Sequence, residues 1–157
     1  MTLSQETRER ILSLRESFPE RRSAILPALR AAQEEVGYLP PEVLLELSEL
    51  LGFDASVVEG VASFYSLLYL QPVGRHILHI CNNLSCYLAG SDELINELEE
   101  RLGISVGGTT PDGRVTLRHA ECLAACDRPV AVLLDGRYVE GMSVERLDEL
   151  LEMLDHE

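Results

Sequence analysis

The 157-residue chain contains no tryptophan and no lysine; all 13 of its basic residues are arginine. Against them stand 27 Asp and Glu, for a net charge of −14. A chain this acidic does not hold a phosphate backbone by bulk attraction, so no nucleic-acid partner is expected. No stretch approaches the roughly 18 consecutive apolar residues of a membrane span, so no direct span is expected. Residues 1–20 lack an apolar signal core and carry Glu6, Glu9, Glu16 and Glu20, which an acidic-poor transit peptide would not. A cytoplasmic location follows as the expectation. Neither a G-x-G-x-x-G run nor a P-loop lysine is present, so Gly107-Gly108 reads as a turn. No Ser/His/Asp or Cys/His arrangement stands out as a nucleophile, and no catalytic residue is assigned.

Apolar residues make up 46% of the chain and charged residues 25%, which are globular proportions. Charge is uneven. Residues 1–30 hold six Arg and four acids, whereas the remainder holds seven Arg and 23 acids. All four cysteines fall between positions 81 and 126.

The cysteine-free half reads as helices. Ile11, Leu14 and Phe18 mark one short amphipathic helix, closed by Pro19. Ser23 is placed to cap a second, with Ile25, Leu26, Leu29, Ala32 and Val36 on one face and Gly37 as its stop. Pro40 and Pro41 open a third, with Val43, Leu44, Leu47, Leu50 and Leu51 inward and Gly52 beyond. Asp54 is placed to cap a fourth, through Val57, Val58, Val61 and Phe64 to about Tyr65. Four short helices with short turns predict a small bundle.

After Pro72 the period changes. His76-Ile77-Leu78-His79-Ile80 alternates and predicts a strand running into Cys81. Ser91 is placed to cap a helix with Leu94, Ile95, Leu98 and Leu102 inward. Val115 and Leu117 mark a strand, and Val130 to Leu134 a buried one. Asp135-Gly136 then turns into Tyr138-Val139. A last helix, capped by Ser143, carries Val144, Leu147, Leu150, Leu151 and Leu154 on one face. The order β-α-β-β-β-α fits a small sheet covered by helices, as in a thioredoxin-like fold.

The cysteines fall as Cys81-x4-Cys86 and Cys122-x3-Cys126, with 35 residues between the pairs. The first pair follows a strand and the second lies in a loop between strands, so both can reach one end of the sheet. In a reducing compartment such thiols are metal ligands or redox groups more readily than structural disulfides. Structural zinc favours tighter C-x2-C knuckles. Spacings of four and three suit a 2Fe–2S cluster, in which each pair binds one iron. The C-x-x-C of a thioredoxin active site is absent. Spacing alone leaves cluster, zinc and disulfides open, with the cluster favoured.

Arg22-Ser-Ala-Ile-Leu-Pro27, Gln33-Glu-Glu-Val-Gly-Tyr38, Val61-Ala-Ser-Phe-Tyr65, Cys81-Asn-Asn-Leu-Ser-Cys86, Thr109-Thr-Pro-Asp-Gly113 and Glu121-Cys-Leu-Ala-Ala-Cys126 occur in this order. With these motifs the chain resembles the small thioredoxin-like 2Fe–2S subunit of the peripheral arm of respiratory complex I, NADH:quinone oxidoreductase. Similar subunits occur in soluble NAD-dependent hydrogenases and formate dehydrogenases. The resemblance spans about Phe18 to Leu151. It implies an α+β chain with an N-terminal helical bundle over residues 1–72 and a thioredoxin-like 2Fe–2S domain over 73–157. It also implies one 2Fe–2S cluster on Cys81, Cys86, Cys122 and Cys126. FMN and NADH are expected on a partner flavoprotein subunit, contacted by the N-terminal helices, with larger iron–sulfur subunits in the same complex. The chain would carry single electrons as a subunit of NADH dehydrogenase and would not be catalytic alone. Through the complex it would lie at the cytoplasmic side of the membrane. Two departures stand out. The family usually has Gly where Ala124 stands, and a longer segment, often with Ala-Pro, where Asp127-Arg128-Pro129 follows the last cysteine.

Remaining features have plainer readings. His76, His79 and His119 read as packed or solvated rather than as Rieske-like ligands. Asn82, Asn83 and Ser85 read equally well as donors to sulfur or as ordinary loop residues. The acidic faces at 97–100 and 145–157 read as solvated surface.

Overall fold

The computed structural model describes residues 2–155. The chain divides into two compact units, Met1–Pro72 and Val73–Glu157.

The first unit is helical: α1 (Gln5–Ser17), α2 (Ile25–Val36), α3 (Pro41–Leu51) and α4 (Ala55–Phe64). Ser4 caps α1, its hydroxyl accepting from the Thr7 N–H at 3.2 Å. The helix buries Ile11 among Ile25, Leu29, Leu39, Val43, Leu47, Leu51 and Val58. Gly37 and Gly52 end α2 and α3 at φ 88° and 73°, left-handed positions that glycine reaches without steric cost. Two expected caps differ. Ser23 lies inside a short 3-10 turn, Arg21–Ala24, so α2 begins two residues later. Asp54 holds the N-cap position of α4 without a side-chain cap hydrogen bond. Phe64, one of the apolar residues along α4, is 80% exposed. The arginines of α1 are engaged within the unit: Arg8 with Glu46 at 2.6 Å, Arg10 with Glu34 at 2.7 Å, and Arg15 with the Leu50 carbonyl at 3.0 Å.

The second unit is a four-stranded mixed sheet with order β2-β1-β3-β4. The strands are β1 (His76–Cys81), β2 (Val115–Ala120), β3 (Val132–Leu134) and β4 (Arg137–Val139). β1 and β2 are parallel, joined through α5 (Leu84–Leu88) and α6 (Ser91–Leu102); β3 and β4 are antiparallel to their neighbours. Leu78, Ile80, Leu94, Leu98, Leu117, Val132, Leu150 and Leu154 form the core, the last two from α7 (Leu147–Asp155). This is the expected α+β architecture.

Three local expectations change. The five-residue α5 falls where the sequence reads as a loop, because the Asn83 side chain accepts from the Leu84 N–H at 2.9 Å and starts a helical turn. Gly90, at φ 95°, takes the N-cap position of α6, and Ser91 is its first, fully buried residue. Ser143 bonds the Glu145 side chain rather than a helix N–H, and this holds the Glu145 carboxyl below its usual range.

Candidate metal centre

The parallel pairing of β1 and β2 builds the site. Cys81 is the last residue of β1 and lies opposite Ala120, the last of β2. The two chains therefore leave the sheet side by side at the same end, one towards Cys86 and the other towards Cys122 and Cys126. Main-chain bonds hold that exit. The Cys81 N–H donates to the Ala131 carbonyl at 3.1 Å and the Asn82 N–H to the Ala120 carbonyl at 3.2 Å.

The four thiols are free and differ in setting. Cys81 and Cys86 are buried, at 3% and 2% exposure, whereas Cys122 and Cys126 are exposed. Cys86 projects from α5. Burial pushes its thiol above the usual range, and the neighbouring Cys81 and Cys126 thiols push it the same way, while a hydrogen bond from the Ala131 backbone opposes them. Cys81 and Cys126 are therefore each within electrostatic reach of Cys86. The Cys81 thiol faces the Glu121 carbonyl, with the sulfur 3.9 Å away.

Cys122 has its own donor, the Ala124 N–H, at 3.4 Å from its sulfur. Ala124 adopts φ 58°, a left-handed conformation unusual for a residue with a Cβ. Three anchors fix the loop between β2 and β3. The Tyr138 hydroxyl donates to the Leu123 carbonyl at 2.6 Å, the Gly141 N–H to the Arg128 carbonyl at 3.1 Å, and Val130 and Met142 exchange main-chain bonds at 3.3 and 3.0 Å. Arg128 also pairs with Glu140.

The donor set fits a cluster. A 2Fe–2S centre asks for two thiolates per iron from four soft sulfur ligands, and two pairs of thiols are what the sheet end presents. The fit is one of ligand type and number: among the described residues, no three His, Cys, Asp or Glu side chains, the thiols included, are gathered closely enough to hold a metal ion. The histidines stand apart from the thiols in their roles. His76 is buried, its Nδ1 2.8 Å from Asp135 Oδ2, and His119 is exposed. Burial, then the nearby Arg118 charge, hold the His79 imidazole below its usual pKa. Asn83 caps α5, and Ser85 is exposed. Glu99 is more than solvated surface, because its carboxylate accepts from the Val106 N–H at 2.6 Å.

Sequence reasoning missed Tyr138, which reads only as a strand residue. It also missed the exposed Leu84, Tyr87 and Leu88 of α5, at 68%, 54% and 76%. A capping Asn followed by apolar residues is the signal that marks that turn of helix.

A thioredoxin-like domain with four thiols at one end of its sheet defines a class of small iron–sulfur proteins. The chain belongs to the thioredoxin-like [2Fe-2S] ferredoxin family, whose sequence profile matches residues 11–155. Membership implies an iron–sulfur cluster. The chain is 45% identical over 145 residues to an NADH-quinone oxidoreductase subunit of Rhizobium meliloti (strain 1021), covering 92% of this chain and 86% of the relative. It is 45% identical over 132 residues to NADH-quinone oxidoreductase subunit 2 of Thermus thermophilus, covering 83% and 73%. Among solved structures it resembles an NAD+-reducing [NiFe]-hydrogenase chain, with a TM-score of 0.71 and 27% identity over 81% of this chain. It spans only 22% of that hydrogenase chain. No helix among the described residues is long and apolar enough to cross a membrane.

Proposed function

We propose that this chain is the electron-transfer subunit of an NADH:quinone oxidoreductase and holds one 2Fe–2S cluster on Cys81, Cys86, Cys122 and Cys126. The observation that carries this reading is the common exit of β1 and β2, which brings both cysteine pairs to one sheet end in a chain 45% identical to NADH-quinone oxidoreductase subunits. Bound there, the cluster supplies one-electron redox chemistry. The protein's own part is to shape the surroundings. Burial of Cys81 and Cys86 keeps water from one side, while the exposed Cys122 and Cys126 leave the other side open to an approaching redox partner. The net charge of −14 opposes addition of an electron and holds the potential low.

FMN and NADH belong on a partner flavoprotein in this reading. The helical unit, residues 1–72, supplies the docking surface. The α1 arginines are spent on Glu46, Glu34 and the Leu50 carbonyl within the unit, so the support comes from elsewhere. A groove of about 650 Å³ is lined by Arg22, Ile25, Leu26, Val61, Phe64 and Tyr65, and it presents the exposed Phe64 ring at its wall. Phe64→Glu is expected to leave this unit folded and to abolish co-purification with the flavoprotein; undiminished co-purification would reject the docking role.

The test of function uses single Cys→Ala variants and NADH. Each of the four variants is expected to lose most of its iron and sulfide. A variant with a full, unaltered 2Fe–2S spectrum would remove that residue from the ligand set. The purified chain alone is expected to oxidise no NADH with ferricyanide, and addition of the flavoprotein to restore electron flow. The similarity to the hydrogenase chain favours one second reading, the equivalent subunit of a soluble NAD-dependent hydrogenase. Membrane-arm subunit genes beside this one would support the first reading, and hydrogenase genes the second.

A further inference from the structure

The peptide unit joining Leu123 to Ala124 is held at both ends. Its carbonyl accepts from the Tyr138 hydroxyl at 2.6 Å, and its N–H, on Ala124, donates to Cys122 Sγ at 3.4 Å. A peptide unit is planar, with C=O and N–H pointing in opposite senses, so fixing one fixes the aim of the other. The orientation runs against local preference. Ala124 stands at φ 58°, a left-handed conformation that is unfavourable for a residue with a Cβ. An outside contact is needed to keep it there.

Tyr138 is placed to be that contact. It comes from β4, where it pairs with Leu133 of β3, so its backbone is set by the sheet and not by the loop. Tyr138 is 54% exposed, and its hydroxyl is hydrogen-bonded to the loop. The hydrogen bond to Cys86 differs. There the donor is the Ala131 backbone, and the carbonyl of the same peptide unit, on Val130, accepts from the Met142 N–H at 3.0 Å. That peptide unit is held by main chain, whereas the carbonyl of the peptide unit that donates to Cys122 is held by one side chain from another element.

We propose that Tyr138 is a positioning residue whose hydroxyl aims the Ala124 N–H at the Cys122 sulfur and thereby raises the reduction potential of the centre that the cysteines hold. The proposal rests on the reading of Cys122 as a cluster ligand. An N–H donor stabilises negative charge on sulfur, and the reduced centre carries one more negative charge than the oxidised one. The bond is therefore stronger in the reduced state and favours reduction.

Tyr138→Phe removes the hydroxyl and keeps the ring. The full-length chain, wild type and variant, is measured for iron and acid-labile sulfide, for midpoint potential by EPR-monitored titration, and for the response of its Fe–S Raman bands to H/D exchange. The expected variant loads fully, has a more negative midpoint potential and shows a weaker isotope response. Full loading with an unchanged potential and isotope response would overturn the proposal while leaving the ligand assignment intact. Failure of a folded variant to load would also overturn it, by making Tyr138 a structural support of the loop. Absence of iron and sulfide from the wild type would instead overturn the ligand reading and this proposal with it.

Discussion

His76 and His79 lie three positions apart on β1, both buried, and meet different surroundings. His76 faces the Asp135 carboxylate at 2.8 Å, whereas burial and the Arg118 charge oppose protonation of His79. The consequence for stability has a definite sign. With its folded pKa below the unfolded value of about 6.5, His79 binds fewer protons in the folded chain than in the unfolded one as pH falls past that value. Its stabilising contribution is present above about pH 6.5 and is lost below it, with a slope of at most about 1.4 kcal/mol per pH unit. Denaturant titrations from pH 7.5 to 5.5 are expected to show a shallower loss of stability in His79→Gln than in wild type; parallel pH profiles would contradict this account. The residue scale is also where the sequence was least legible. Cysteine spacing named the four thiols, but nothing in a one-dimensional pattern joins Tyr138 to the Leu123 carbonyl, because that contact depends on how β4 lies beside the loop.

At the scale of elements, period and turn chemistry carried most of the fold. Alternation over 76–80, the Asp135-Gly136 hairpin and the glycine stops of α2 and α3 are all found as expected. The departures lie where short-range polar contacts decide a boundary: the 3-10 turn at Arg21–Ala24, Gly90 in place of Ser91 as N-cap, and the single turn of α5. Phe64 fits the helical period but stays exposed, because periodicity marks a face without showing what covers it. Two variants probe the second unit's elements. At Gly74, just before β1, a Cβ would come within 2.9 Å of the Val115 backbone, and the Gly74 N–H donates to Thr116 Oγ1 at 2.6 Å. Gly74→Ala is expected to cost about 1–3 kcal/mol, as overpacking against backbone does. Leu98, fully buried between α6 and the sheet core, is expected to cost about 2–5 kcal/mol on change to Ala. Both are read from denaturation midpoints at constant m-value; an unshifted midpoint in either variant would show that the packing there is looser than described.

For the whole molecule, sequence and structure divide the labour differently. The charge bias, the order of elements and the cysteine positions pointed to a helical segment followed by an acidic metal-binding domain, and the structure forms two compact units that divide between residues 72 and 73. What no single chain encodes is the host assembly, because the flavin, the nucleotide and the neighbouring redox centres are placed on other subunits in this account. The central claim needs none of them. It is that four thiols at one end of a thioredoxin-like sheet hold a two-iron cluster. The direct measurement is metal and acid-labile sulfide per chain, with an EPR spectrum before and after dithionite, on anaerobically purified full-length protein. The account predicts about two irons and two sulfides per chain, a silent oxidised state and an S = 1/2 signal on reduction. One zinc per chain, with no sulfide and no signal, would contradict it.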